Sequence, residues 1–279
     1  MGTSQSSKGP GPGVPMIPPW ADGAPEGGAP GDEPGQDGQE GQPGDTPAPA
    51  PAPTAPPGRW TTTSRNLGDY ARTGDSRAMH RALKGYVRNG YGGAGTASRR
   101  MGGTATTAGT LSTVLNNLVG GAAPDPNALL DRAILVGRNA DEIMDAVIEA
   151  VRPVDGTQDA EASRAAIRDA LSELLARYEN ADLLQLTDEQ REFAVERFTA
   201  NDVVRRFELD TGQVVIDKAP TTAAGLARLK EIRSYIKQTV AASFRTLKQA
   251  GSRLSSGKVA QVVRDALRET FTVFEEYVS

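Results

Sequence analysis

Apolar residues recur at helical spacing over most of the chain beyond residue 60, and that pattern predicts the elements. Leu67, Tyr70, Met79, Leu83, Tyr86 and Val87 fall on such spacings, with Asp75 or Ser76 as the N-cap of a helix through Val87. TLSTVLNNLVGG, ending at the glycines 120 and 121, reads as a helix, and so does NALLDRAILVG after Pro126. Asn139 and Glu142 have capping-box spacing before a face of Ile143, Met144, Val147, Ile148 and Val151, and Pro153 ends that helix. A longer helix over 159–181 carries the stripe Ile167, Ala170, Leu171, Leu174 and Tyr178. Thr187 and Gln190 repeat the capping-box spacing and open a helix with Phe193, Ala194 and Phe198. Asn201-Asp202 then reads as a new cap, for a short helix through Val203, Val204 and Phe207. QVVID, 213–217, is the one strand-like run; a single strand makes no sheet, so it is a strand or merely extended chain. Thr221 or Thr222 caps a helix reaching about Ala250, and Gly251 breaks it. The last helix repeats Val259, Val262, Val263, Ala266, Leu267, Phe271, Phe274 and Val278 at i, i+3, i+4, i+7. Two such helices joined by a short turn pair antiparallel. The expected fold is mostly α: a helical bundle-like body with a C-terminal helical hairpin.

Composition divides the chain where this pattern begins. Residues 1–58 hold 15 of the 19 prolines and 13 of the 31 glycines. Such density without a collagen period predicts a long disordered Pro/Gly-rich N-terminal region. Three segments follow: a linear motif over 1–20, a disordered acidic linker over 21–58, and an α-helical domain over 59–279. No Lys or Arg occurs between Lys8 and Arg59, while seven acids do, so the net charge of −4 comes from the linker and the body is nearly neutral. Bulk charge gives nucleic-acid binding no support. There is no cysteine, which excludes disulfides and thiol chemistry. No run approaches a membrane span and the start lacks a secretory apolar core, so a soluble, cytoplasmic protein away from membranes is expected.

Candidate chemistry is sparse. His80 is the sole histidine and reads as structural or surface. GSRLSSGKV has five residues between Gly251 and Gly257 where a P-loop has four, and Val259 where Ser or Thr would hold magnesium; it follows a helix rather than a strand. No catalytic residue, cofactor site or metal site is expected. NGYGGAGTASRRMGGTATTAG, 89–109, is glycine-rich around Arg99 and Arg100. It reads as a partner- or phosphate-contacting loop, as a flexible connector, or as small residues permitting tight helix packing. The opening MGTSQSSKGPGPGVPMIPPW is the other unusual stretch. Pro10, Pro12, Pro15, Pro18 and Pro19 fix φ and remove donors, so it is an extended strap. Removing Met1 would expose the α-amine of Gly2, whose ordinary pKa of about 7.7–8.0 leaves a useful nucleophilic fraction at neutral pH. Gly2 therefore offers a reactive amino-terminal amine. Thr3 and Ser4 suit a narrow groove, and Pro15, Ile17 and Trp20 are the candidate partner-binding anchors. Gly2 with Ser6 also fits the loose myristoylation pattern, and a tail that is only a tether remains the plain alternative.

The opening twenty residues, the low-complexity linker and GYGGAGTASRRMGG resemble the QatB family of the bacterial Qat anti-phage defence system, over residues 2–20 and 86–103. The resemblance implies a non-catalytic component working with a QatA-like P-loop ATPase, a QatC-like (QueC-like) enzyme and a QatD-like nuclease. It further implies that Gly2 accepts a deazaguanine-type carboxyl activated by the QueC-like partner. The alternative is a structural helical adaptor for the P-loop ATPase, with the tail a tether or lipidated anchor.

Overall fold

The computed structural model describes residues 13–17, 54–119, 128–254 and 257–277. Of the expected disordered linker over 21–58, residues 21–53 lie outside these, as do the strap residues Gly2, Thr3, Ser4 and Trp20. The linker's last residues, 54–58, are instead packed on the body, where Ala55 is buried and bonded to the backbone of Gly13 and Val14. Among the described residues there is no strand, only one isolated antiparallel bridge between Pro15 and Thr54.

The described residues form ten α-helices: α1 (Thr61–Thr73), α2 (Ser76–Gly85), α3 (Ala94–Arg100), α4 (Gly102–Leu118), α5 (Ala140–Val151), α6 (Gln158–Arg177), α7 (Asp188–Phe207), α8 (Gln213–Lys218), α9 (Thr222–Gln249) and α10 (Val259–Glu276). Their starts follow the capping chemistry. Asp75, not Ser76, caps α2, its carboxylate accepting from the Arg77 amide. Thr221, not Thr222, caps α9. Both capping boxes close reciprocally, Asn139 with Glu142 and Thr187 with Gln190. Each pairs two amides that a helix start leaves without a partner.

The C-terminal pair forms as expected. α9 packs on α10, and the hydroxyls of Ser243 and Thr270 meet at 3.0 Å in the buried seam. The pair is more central than a hairpin added to a bundle. α10 also packs against α2, α3 and α4, while α7 packs against α4, α6 and α9. α7 is buried without interruption from Phe198 to Val204.

Three expectations are corrected. QVVID is helix α8, not a strand. Its Val215 is fully buried, and the helix sits between α1 and α9 where glycines make room. A Cβ on Gly225 would stand 3.2 Å from Ile216, and one on Gly68 would stand 3.4 Å from the Lys218 stem. Burial there outweighs β-branched propensity, and no partner strand is near. Asn201-Asp202 caps nothing and lies within α7. The described part of NALLDRAILVG, residues 128–137, is helical only as a 3-10 turn, Arg132–Leu135, which Asp131 caps through the Ala133 amide. Leu129, Ile134 and Val136 are about 60% exposed and only Leu135 of its described residues is buried, so that segment has too little apolar face to hold a longer helix, and Gly137 follows it at φ 82°.

Asp202 serves another purpose. Its carboxylate is buried and accepts from Thr104 Oγ1 on α4 at 2.6 Å and Ser163 Oγ on α6 at 2.7 Å, tying three helices together. Burial pushes its pKa up, and the two hydroxyls oppose that only in part. The folded state therefore holds this proton more tightly than the unfolded chain. Its contribution to stability falls as pH rises from about 4 through the raised folded value. Asp202→Asn keeps a polar group for both hydroxyls but cannot ionise. The difference in melting temperature between variant and wild type is expected to move in the variant's favour as pH rises from 4 to 7. A constant difference over that range would show that Asp202 does not titrate there.

Candidate functional site at the neck of the strap

The glycine-rich stretch is mostly helical. Tyr86–Gly90 is a π-turn continuing α2, and residues 94–118 form α3 and α4 with a break at Met101. Of its three readings, close packing is the one realised along α4: a Cβ on Gly109 would rest 3.5 Å from the Ala260 methyl of α10. Arg99 and Arg100 therefore sit on the last turn of a helix rather than in a loop.

The glycines at its front seat other parts of the chain. Gly90 lies under the Trp60 ring, and a Cβ there would come within 2.1 Å of it. Trp60 stacks on Tyr86 at 5.4 Å and meets Tyr91 edge-on at 5.6 Å. Both tyrosine hydroxyls donate to the partly buried carboxylate of Asp210, Tyr86 at 2.9 Å and Tyr91 through a shorter bond. Burial raises the pKa of Asp210 and of both phenols, so the cluster keeps its protons at neutral pH better than exposed groups would. Arg59 is buried beside them. Its guanidinium lies 4.8 Å over the Trp60 ring and donates to the Gly90 carbonyl at 3.3 Å.

On this platform the strap is held. The Gly13 amide donates to the Ala55 carbonyl at 3.0 Å, and the Ala55 amide donates to the Val14 carbonyl at 2.9 Å. Met16 and Ile17 are 2% and 1% exposed, as buried as the core. Gly92, at φ 75°, leaves room for the Met16 sulfur, which a Cβ would approach to 3.1 Å. The Arg100 guanidinium donates to the Met16 carbonyl at 3.3 Å. Behind it, the α3 N-terminus is closed by Glu275 of α10, which accepts from the Ala94 amide at 2.9 Å. Beside this neck an open cavity of about 430 Å³ is lined by Met16, Thr54, Arg59, Thr62, Arg88 and Asn89, among others, with no carboxylate among the described residues of its wall.

The structure thus joins two regions that the sequence kept apart. Pro15 pairs with Thr54 and Ile17 is buried, while Arg100 holds the strap and Arg99 is exposed beside it. Sequence reading missed Arg59, Trp60, Tyr86, Tyr91 and Asp210 as a unit. One signal for it was available: three of the chain's few large aromatics flank Gly90 or the first helix. His80 lies between the rings of Tyr235 and Tyr277, at 4.7 and 4.1 Å, and burial lowers its pKa. Among the described residues no group of His, Cys, Asp and Glu could hold a metal, and no helix is long and apolar enough to cross a membrane.

An all-helical body with a docked N-terminal segment is what fold and site define. A family model described as Qat anti-phage system associated protein QatB matches residues 92–274, from Gly92 at the neck almost to the end of α10. That match covers well over half of the chain, which therefore belongs to the QatB family and is a component of the Qat anti-phage system. No curated protein and no solved structure matches it.

Proposed function

We propose that this chain is the acceptor subunit of its defence system, modified on Gly2 by a QueC-like partner. The observation that supports this most is the anchoring of residues 13–17 on the body. It leaves only the residues before Gly13 to present the terminal amine. Gly2 lies eleven residues back from Gly13, so it reaches at most about 40 Å from the neck.

In the proposed step the partner converts a deazaguanine carboxylate and ATP into an acyl adenylate, releasing pyrophosphate. The neutral Gly2 amine attacks the acyl carbon. AMP leaves with the adenylate oxygen, an amide forms, and the amine's proton goes to solvent. Glycine adds no side chain beside the nucleophile. The product removes a positive charge and adds a flat base that another subunit can stack on and read at its edges. A QatA-like ATPase and a QatD-like nuclease are the subunits we assign to that reading.

Intact mass of the chain co-expressed with its operon tests the proposal. Wild type is expected to lack Met1 and carry one deazaguanine-type adduct. Gly2→Ala should slow its formation, and Gly2→Glu should retain Met1 and abolish it, with melting unchanged in both. An unmodified Gly2 terminus alongside full phage protection would leave the helical adaptor as the function.

A further inference from the structure

Residues of α6, α7, α9 and α10 line another cavity, of about 200 Å³. Val262 reaches it from the first turn of α10, whereas Glu275 at the neck is in the last turn, so roughly 20 Å of helix lies between the two places. Phe193, Phe244, Leu254 and Val262 make its apolar wall, and most of the other lining residues are charged. Several of these are engaged within the wall. The Lys248 ammonium donates to Glu192 at 2.9 Å, and the Tyr178 hydroxyl donates to Glu189 at 3.3 Å. Two are not. Among the described residues the Glu196 carboxylate and the Arg245 guanidinium make no hydrogen bond and no ion pair, although each lies in the other's field. Glu196 is half-buried and Arg245 is exposed. Burial raises the Glu196 pKa against the pull of Arg197, Arg245, Arg177 and Lys248. Unpaired arginines occur elsewhere on the surface. What marks this place is an acid and a base that share one cavity and leave their bonds to each other unmade.

From this arrangement we infer that the cavity is a binding site for a free α-amino acid with an apolar side chain. The α-ammonium donates to Glu196, the carboxylate accepts from Arg245, and the side chain lies against Phe244, Leu254 and Val262. A zwitterion answers both stranded charges at once and adds no net charge. Hydrogen bonds between charged groups are also the stronger kind. Size argues the same way: pockets for drug-sized ligands span roughly 300–1,000 Å³, and this one is smaller. A stacked nucleobase fits less well, because the Arg177 and Arg197 guanidiniums already lie over Phe193, each 5.0 Å from its centre. The inference is independent of any modification of Gly2.

Titration calorimetry on the full-length chain tests it, with L-phenylalanine, L-leucine and GMP as probes. Both amino acids are expected to bind, with Kd below about 1 mM. Phenethylamine lacks the carboxylate and 3-phenylpropanoate lacks the amine; each is expected to bind about tenfold more weakly than L-phenylalanine. In Glu196→Gln the advantage of phenylalanine over 3-phenylpropanoate should vanish. In Arg245→Met its advantage over phenethylamine should vanish. This pairing of variant with ligand separates direct contact from a general loosening of the cavity, which would weaken all three ligands alike. Circular dichroism melts check that both variants fold, and the wild-type comparison of the three ligands stands without them. No binding of either amino acid by wild type, or equal binding of phenylalanine and its two truncated analogues, overturns the site. Full binding by both variants overturns its location. GMP bound in place of the amino acids overturns the ligand class.

Discussion

Phe271→Asp is expected to unfold the body. Phe271 is fully buried in the middle of α10, the helix that touches α2, α3, α4 and α9. Its ring meets Phe274, which stacks on Tyr235 of α9 at 6.0 Å. Truncating a buried phenylalanine alone costs about 3–5 kcal/mol. The aspartate adds a charge with no partner in an apolar seam, where it either stays ionised at a large desolvation cost or takes a proton and remains poorly bonded. Whole domains are stable by only about 5–15 kcal/mol, so the sum approaches the entire margin. Val273→Asp on the exposed side of the same helix is the control and should melt like wild type. Circular dichroism melts of the two variants check this. A wild-type melt for Phe271→Asp would mean that the α10 stripe is not the core.

Gly90→Val is expected to disrupt the neck without unfolding the helices. The backbone at Gly90 does not have the positive φ that disfavours side chains. The obstacle is the Trp60 ring, which occupies the space of the missing Cβ. Overpacking of this kind costs about 1–3 kcal/mol. The strain falls on Trp60, and through it on Arg59 and the seat of Met16. Tryptophan fluorescence in a Trp20→Phe background reports Trp60 alone and should shift red. Thermolysin should cleave near Met16 and Ile17 faster than in wild type. Removing the ring relieves the clash, so Trp60→Leu combined with Gly90→Val should cost less than the two single changes added together, by a clear margin in a double-mutant cycle. Simple additivity would place the ring elsewhere.

The sequence by itself was enough for the helices that carry a strong stripe and an explicit cap. α5, α7, α9 and α10 begin where Asn139, Thr187, Thr221 and the valine pattern say, because caps and amphipathic faces act within a few residues. The pairing of α9 with α10 was legible for the same reason: a short turn leaves two apolar faces little else to meet. Tertiary structure decided what local pattern misread. Val214, Val215 and Ile216 became helical because Gly68 and Gly225 open a slot for α8. Asp202 stayed inside α7 because Thr104 and Ser163, from helices far apart in sequence, supply donors that a cap would have taken from the backbone. The neck was the least legible feature. Its parts come from residues 13–17, 54–60, 86–100 and 210, and each looks ordinary in its own stretch of chain. Only their packing makes a seat for Met16 and Ile17, since burial and charge depend on neighbours that sequence spacing does not reveal.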